Sequence, residues 1–391
     1  MGEPQAPFAG LLVVDLTRVL AGPYCTLLLA ELGARVIKVE RPPGGDEARR
    51  IGPIPDAAPD RSAYFQSVNR GKQSIALDLE EPTDREIFEA LLARADVLAE
   101  NFRPGVMEKL GYGWESVQER WPRLIVASTS GFGQTGPLRS LPAYDVVAQA
   151  LGGMMSLTGE PGRRPVRVGV SLGDLAAGLF TALGVAAALY HRERTGEGQR
   201  VDVSMLDSQV ALIENAISRF EATGEVPGPI GSRHPAVAPF QAFATGDGHV
   251  VIAAGNDELF ARLARALGRD DLVADPRFTT VADRMDHVDD LQGELERVLE
   301  PHGTGHWVEL LRDAGVPCAP VQDVAAVLDD PQVRARNMIV EAQDPDIGAL
   351  RMAGNPIKLS AASDPPSRRP SPKLDADRDA ILEELGLGGG G

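Results

Sequence analysis

The stretch Arg167-Val168-Gly169-Val170-Ser171-Leu172-Gly173-Asp174-Leu175 sets a single carboxylate between a tight turn and a long apolar helix. Two kinds of chemistry fit it. As an N-cap, Asp174 accepts hydrogen bonds from the first free amides of the helix and is favoured by the helix dipole. As a covalent nucleophile, it is apical, reachable and ionised near an unperturbed pKa of about 3.9, and needs no general base. The two are compatible, so the local sequence leaves both open. The helix itself runs from Leu175 to about Arg194 and is almost entirely Ala, Gly, Leu and Val. Gly178, Ala182 and Ala186 recur at a four-residue spacing, which makes one face flat and suited to close packing. His191, Arg192 and Arg194 suit its negative end, and Gly196 stops it.

A ligand must be held against that carboxylate by other elements. Leu11–Leu16 and Ala34–Glu40 are strand-type apolar runs with a helical segment, Tyr24–Leu32, between them. The first strand and the helix are joined by Thr17-Arg18-Val19-Leu20-Ala21-Gly22-Pro23, where Gly22 permits close backbone approach and Pro23 suits a first helical turn. The three-glycine dinucleotide fingerprint is absent, so Glu40 is weak evidence for a ribose-binding acid. Strands at Ser74–Leu79, Asp96–Glu100, Leu124–Ser128 and Gln199–Met205, a helix at Asp84–Ala93 and a glycine-rich loop from Ser130 to Pro137 continue the pattern. Such alternation predicts an α/β fold with a doubly wound, Rossmann-like parallel sheet, whose ligands bind where strand ends meet loops. Between Phe220 and Ala236 the composition turns to Gly, Pro and charge, which predicts a domain boundary. We read 1–222 as a large domain and 223–330 as a smaller α/β domain, with a strand at Val250–Ala254, a helix at Leu259–Leu267 and another after Thr304. In 331–391, a Pro- and Ser-rich tail from Ser360 to Lys373 leads to a last helix, Asp377–Leu385, and Gly388–Gly391 is expected to be disordered.

The composition excludes several classes of function. With 391 residues, 43% of them hydrophobic, the chain is globular and long enough for more than one domain. The nearest approach to a membrane span is the Ala-rich helix, roughly seventeen residues before its basic end, and its small residues suit a core better than lipid. Met1–Gly10 has no basic region followed by an apolar run, so we expect no secretory signal and a cytoplasmic protein. Cys25 and Cys318 are the only cysteines, which excludes a disulfide framework and a thiolate metal site and predicts two buried, reduced thiols. A net charge of −17 repels a phosphodiester, so nucleic acid is not an expected partner and any anionic ligand must be met by local basic clusters. His302 and His306 have metal-ligand spacing but no third ligand, and Gly71-Lys72 lacks the earlier glycine of a P-loop. We therefore expect no metal.

Taken together, Asp15-Leu16-Thr17-Arg18-Val19-Leu20-Ala21-Gly22-Pro23, Val36-Ile37-Lys38-Val39-Glu40-Arg41-Pro42, Val68-Asn69-Arg70-Gly71-Lys72, Glu100-Asn101-Phe102-Arg103-Pro104-Gly105 and Gly131-Phe132-Gly133-Gln134-Thr135-Gly136-Pro137 resemble the class III CoA-transferases. The similarity continues through Gly173-Asp174 and Thr195-Gly196-Glu197-Gly198-Gln199 and covers nearly the whole chain. Within the family it most resembles the succinyl-CoA:dicarboxylate (glutarate) branch, at Thr17–Pro23 and Val237-Ala238-Pro239-Phe240-Gln241-Ala242-Phe243. The resemblance implies an interlocked homodimer, a large CoA-binding domain, a smaller domain over the site, and a C-terminal segment returning to the large domain. It implies a coenzyme A thioester as substrate with no prosthetic group, a carboxylic acid as acceptor, and Asp174 as acyl-accepting nucleophile. Backbone around Leu20 and Ala21 would line the thioester. Arg41, Lys72 and Lys109 would meet CoA phosphates, which must find Arg and Lys on this acidic chain. Asn69, Asn101, Phe102, Arg103, Tyr144 and Asp145 would border the cofactor.

Departures from the family narrow the expectation. Formyl-CoA transferases carry Gln at the place of Leu20 and a longer glycine run where this chain has Gly255-Asn256-Asp257, which argues against oxalate and formate. The family's acyl-CoA racemases have His where Tyr144 stands, and a racemase needs a base on each side of the α-carbon. The alternatives to a transferase are such a racemase and a silent CoA-binding protein in which Asp174 is only a cap. For the second carboxylate of a dicarboxylic acid, Arg18 or Arg233-His234 are the candidate anchors, and backbone near Gly255 is a candidate oxyanion donor.

Overall fold

Burial on two faces organises the central sheet. The computed structural model describes residues 6–56 and 58–388. Six parallel strands, β1 (Leu12–Asp15), β2 (Arg35–Glu40), β3 (Gln73–Ala76), β4 (Val97–Glu100), β5 (Ile125–Ser130) and β6 (Arg200–Ser204), lie in the order β3-β2-β1-β4-β5-β6. Val13, Val36, Val97 and Ile125 join one apolar cluster, while their neighbours Val14, Ile37, Leu98 and Val126 join another. Both faces are covered, which is why these strands read as unbroken apolar runs. The order reverses between β1 and β4, so the loops after those two strands diverge and open a crevice.

Helices that matter for the crevice are α1 (Ala21–Glu31), α2 (Ala63–Asn69), α3 (Pro82–Leu92), α4 (Asp145–Leu151), α5 (Leu172–Thr195), α6 (Met205–Leu212) and α7 (Glu214–Thr223). Cys25 and Leu29 of α1 and Val185 and Leu189 of α5 pack on the first face, and Phe88, Leu91 and Leu92 of α3 on the second. With 24 residues, α5 is longer than the sequence suggested, and by length and composition it can cross a membrane. It packs against α1, β5, β6 and α6, with 44% of its apolar stretch buried.

The chain divides into two units. The large one takes the chain up to Met155, Arg167–Val226 and everything from Pro331 on, and the small one takes Ser156–Val166 and Pro227–Asp330. The stretch 156–166, which the sequence reading left in the large domain, thus joins the small unit, where Gly231 donates its amide to the Gly159 carbonyl at 2.8 Å. In the small unit β7 (Phe240–Ala244), β8 (His249–Ala253) and β9 (Cys318–Pro320) form an antiparallel sheet over a core of Phe260, Leu263, Leu295 and Leu311. Cys25 is buried as expected, but Cys318 on the edge strand β9 is only partly so.

The large unit is completed by its last segment, which carries a second sheet of β10 (Ile339–Asp344), β11 (Gly348–Ala353) and β12 (Ser367–Arg368). Downstream, the Asp375 and Asp377 carboxylates accept the Ala76 and Ser74 amides on the outer edge of β3 at 2.7 and 2.9 Å. Ile381 of the final helix, Arg378–Leu385, enters the core. The edge of the parallel sheet is closed by its own tail. Gly388 donates to the Leu382 carbonyl at 3.0 Å, and the rest of the terminal run expected to be disordered lies outside the described residues.

Candidate active site

The crevice at the strand-order reversal holds a cavity of about 260 Å³, lined wholly by the large unit. Arg18, Leu20 and Ala21 reach it from the β1–α1 turn, Asn101, Phe102 and Arg103 from the loop after β4, Tyr144 from the N-cap of α4 and Asp174 from α5. Sequence reasoning missed Glu47, Arg139 and Thr129, which line it too. Arg139 follows the glycine-rich loop, and its nearness to that loop was the available signal.

Asp174 is not the cap of its helix. The helix starts at Leu172, three residues earlier than expected, so Asp174 is the third residue of its first turn, and Ser171 at the N-cap makes no side-chain capping bond. The capping role falls to Asp145, buried on α4, whose Oδ1 accepts the Gly173 amide at 2.7 Å. The other Asp145 oxygen takes a hydrogen bond from Gln149 at 2.8 Å and lies 3.5 Å from the Arg167 guanidinium. Asp145 therefore supports the turn that carries Asp174 instead of lining the cavity as expected. A Cβ on Gly173 would come within 3.1 Å of both Asp145 Oδ1 and the buried Gln209 side chain, so the turn is built close.

The ionisation of Asp174 also departs from expectation. Desolvation, and then the Asp145 charge, push its pKa up to about 7, against the pull of Arg167. A carboxylate raised in this way is a more basic nucleophile than one near its ordinary value.

The start of α1 faces the same space. Gly178 follows Asp174 by one helical turn on the same face, and a Cβ there would stand 2.5 Å from the Ala21 carbonyl oxygen and 3.2 Å from the Cys25 amide nitrogen. The flat face read from the sequence is thus the seat of α1. Leu20 at its N-cap makes no side-chain bond, and the Ala21 and Gly22 amides have no hydrogen-bond partner among the described residues. These are the open donors of a helix N-terminus, suited to a developing negative oxygen. Gly178→Ala should push α1 away from α5, costing about 1–3 kcal/mol as overpacking. Urea denaturation will show the stability loss and a transfer assay an accompanying fall in kcat.

Three guanidiniums border the cavity. Arg18 pairs with Glu47 at 3.2 Å and stacks 5.0 Å from the Phe102 ring centroid. Arg103 and Arg139 have no carboxylate partner among the described residues, so both are available to an anionic ligand.

Other residues expected at the ligand lie outside the cavity lining. Lys72 is fully buried, with Nζ bonded to Asp15 at 3.0 Å, Thr26 at 2.7 Å, Asn69 at 2.8 Å and the Pro23 carbonyl at 3.2 Å. Burial lowers its pKa to about 8 even with Asp15 beside it. Asn69, itself buried, holds Lys72 and the Phe65 carbonyl and does not reach the cavity. Exposed Arg41 faces Glu80 at 3.3 Å and Asp78 at 3.7 Å and Lys109 is exposed on the short helix Val106–Leu110, both outside the cavity lining. Arg233, His234 and Gly255 belong to the small unit. Arg233 is held by Asp289 and Gln292, both at 2.5 Å, His234 tilts on Phe240 at 5.2 Å, and Gly255 packs against Val237.

A model of CoA-transferase family III matches residues 8–378. The chain is 48% identical to the acetyl-CoA:oxalate CoA-transferase of Acetobacter aceti, covering 98% of this chain and 97% of that one. It is 43% identical to the succinyl-CoA:mesaconate CoA-transferase of Haloarcula hispanica, over 97% and 96% of the two chains. With the succinyl-CoA:glutarate CoA-transferase of Homo sapiens the identity is 36%, over 98% and 88%. A crystal structure of a CaiB/BaiF family protein from Brucella suis superposes with a TM-score of 0.87 at 38% identity, covering 97% of this chain and all of the other.

Proposed function

The chain belongs to CoA-transferase family III, and from that premise we propose that it moves CoA from succinyl-CoA or another acyl-CoA to a short dicarboxylic acid through covalent adducts of Asp174. The observation that carries this reading is the meeting, in one cavity, of a basic, half-buried Asp174 carboxylate with the uncapped start of α1. Relatives named for oxalate and mesaconate are more similar to this chain than the one named for glutarate. The departures at Leu20 and Gly255 therefore do not exclude oxalate, and the acceptor class widens from glutarate-like acids to short dicarboxylates.

Each step then conserves the thioester energy. An Asp174 oxygen attacks the donor carbonyl, the C–S bond breaks, and CoA departs as thiolate, leaving an acyl-aspartyl anhydride. The thiolate attacks the Asp174 carbonyl carbon and expels the donor carboxylate, giving an aspartyl-CoA thioester. The acceptor carboxylate attacks that thioester and releases CoA thiolate, which attacks the new acyl carbonyl and frees Asp174. The open Ala21 amide, at the cavity wall, is the donor this reading assigns to the negative oxygen of the tetrahedral intermediates. The unpaired Arg103 and Arg139 supply charge for CoA phosphates or for the distal carboxylate of the acid.

The working form in this reading is the homodimer. Helix α5 leaves Leu179, Leu183 and Tyr190 at 51, 64 and 67% exposure, and Val147 and Leu151 of α4 and Ile217 and Phe220 of α7 are exposed as well. No residue of α7 is buried in the single chain, although it is amphipathic. Apolar faces of this kind mark a partner surface.

The experiment is peptide mass spectrometry after mixing the protein with succinyl-CoA. A CoA or succinyl adduct on the Asp174 peptide, discharged by oxalate or glutarate, is the expected result; no adduct from any acyl-CoA of a panel rejects the mechanism. Because only the carboxylate attacks, the rate of adduct formation should rise about tenfold per pH unit below 7 and level off above it. A rate already flat from pH 5 upward would show that Asp174 ionises like an ordinary carboxylate.

A further inference from the structure

The turn that presents Leu20 and Ala21 is built in a conformation its sequence resists. Val19, a β-branched residue, lies at φ 66°, in the left-handed region such side chains rarely adopt. Its amide donates to Asp46 Oδ1 at 3.0 Å. The same oxygen accepts the Ala48 amide at 2.9 Å, so Asp46 is itself fixed. Its other oxygen forms an ion pair with Lys38 Nζ at 2.9 Å, both side chains being wholly buried. Lys38 in turn donates to the Thr17 carbonyl at 2.6 Å, two residues before Val19. From the opposite side Asn101 accepts the Arg18 amide and donates to the Arg18 carbonyl, each at 2.8 Å. Thr17, Arg18 and Val19 are all held by groups outside the turn, while the Ala21 and Gly22 amides that follow have no partner. Strain that persists at such a place is maintained by its surroundings.

We propose that Asp46 is a positioning residue, which by its bond to the Val19 amide keeps the first amides of α1 aimed at the reacting carbonyl oxygen on Asp174. Released from that bond, Val19 relaxes to negative φ, and the backbone of Leu20 and Ala21 turns with it. The donors are then no longer set before charge develops, which slows the chemical step without weakening the hold on CoA. The inference rests on the assignment of Asp174 as the acyl acceptor.

The test compares Asp46→Ala and Asp46→Asn by steady-state CoA transfer from succinyl-CoA. Asp46→Ala should lower kcat about 10- to 100-fold, with KM for the acyl-CoA changed less than about threefold. Asp46→Asn keeps an oxygen for the Val19 amide and should recover most of that kcat. If circular dichroism shows Asp46→Ala unfolded, Val19→Pro takes its place, since proline has no N–H and holds φ near −65°; it should show the same kcat loss. A kcat within about twofold of wild type in the replacement variant, a loss carried by KM alone, or Asp46→Asn as slow as Asp46→Ala overturns the proposal. Asp174→Ala run alongside separates the two levels: transfer lost there but untouched by the Asp46 variants removes the positioning role alone, whereas transfer retained there removes both.

Discussion

Asp174→Asn is expected to lower CoA transfer by roughly 10⁴-fold or more, the scale on which loss of a covalent nucleophile is felt, and at the same time to stabilise the protein at pH 8. The second effect follows from linkage. The folded protein keeps the Asp174 proton up to about pH 7, while the unfolded chain releases it near 3.8. Between those values the folded state binds more protons, so this group's contribution to stability falls as pH rises and is fully lost above 7. Asparagine makes no such loss. The variant's advantage should be small near pH 4 and grow to about 1–3 kcal/mol at pH 8, a range reduced for the partial solvent contact of the carboxyl. Urea denaturation at the two pH values beside a chromatographic transfer assay measures both. Retained transfer would remove Asp174 from the chemistry, and a stability difference that ignores pH would remove the argument about its ionisation.

Lys72→Met should cost about 3–5 kcal/mol, because it leaves the Asp15 carboxylate buried without its ammonium partner. Both side chains of this pair are wholly buried, and Asp15 also receives the Thr17 amide at 2.8 Å and the Thr26 hydroxyl at 2.7 Å. Lys72 and Lys38 hold the Asp15 carboxyl below the usual range despite burial. The measurement is a urea midpoint, compared with that of the Asp15→Asn, Lys72→Met double variant, which should regain much of the loss. A lysine bound to a CoA phosphate would behave oppositely, leaving the midpoint unchanged and raising KM for the thioester. That outcome would return Lys72 to the ligand.

The same lysine shows where sequence stops informing. A Lys after a Gly at a loop end looks alike whether it meets solvent, phosphate or a buried acid, and what decides here is Asp15 at the end of β1. Lys38 and Asp46 were equally silent, since their roles appear only when β2 and the loop after it come under the turn at Val19. By contrast, Leu20, Ala21, Asn101, Phe102 and Asp174 fall together because the strand-order reversal gathers loops whose motifs the sequence displays. The parallel strands were legible because two-sided burial writes a run of Val, Ile and Leu. Strands β10 and β11 were not, for in them exposed Glu341 and Gln343 or Arg351 alternate with buried neighbours. Strand β12 consists of Ser367 and Arg368 alone, within a Pro-rich tail.

The tail that closes the edge of β3 has a consequence for how the protein is made. Glu31 is paired with Arg368 at 2.9 Å, Arg61 with Asp344, and Ser74 with Asp377, so the first hundred residues lean on groups near the chain's end. A ribosome delivers β1, β2 and β3 long before those partners exist. Through most of synthesis, then, the nascent sheet carries an unpaired edge and Arg61 lacks its carboxylates, while Glu31 has Arg70 alone, and completion waits on the later segment.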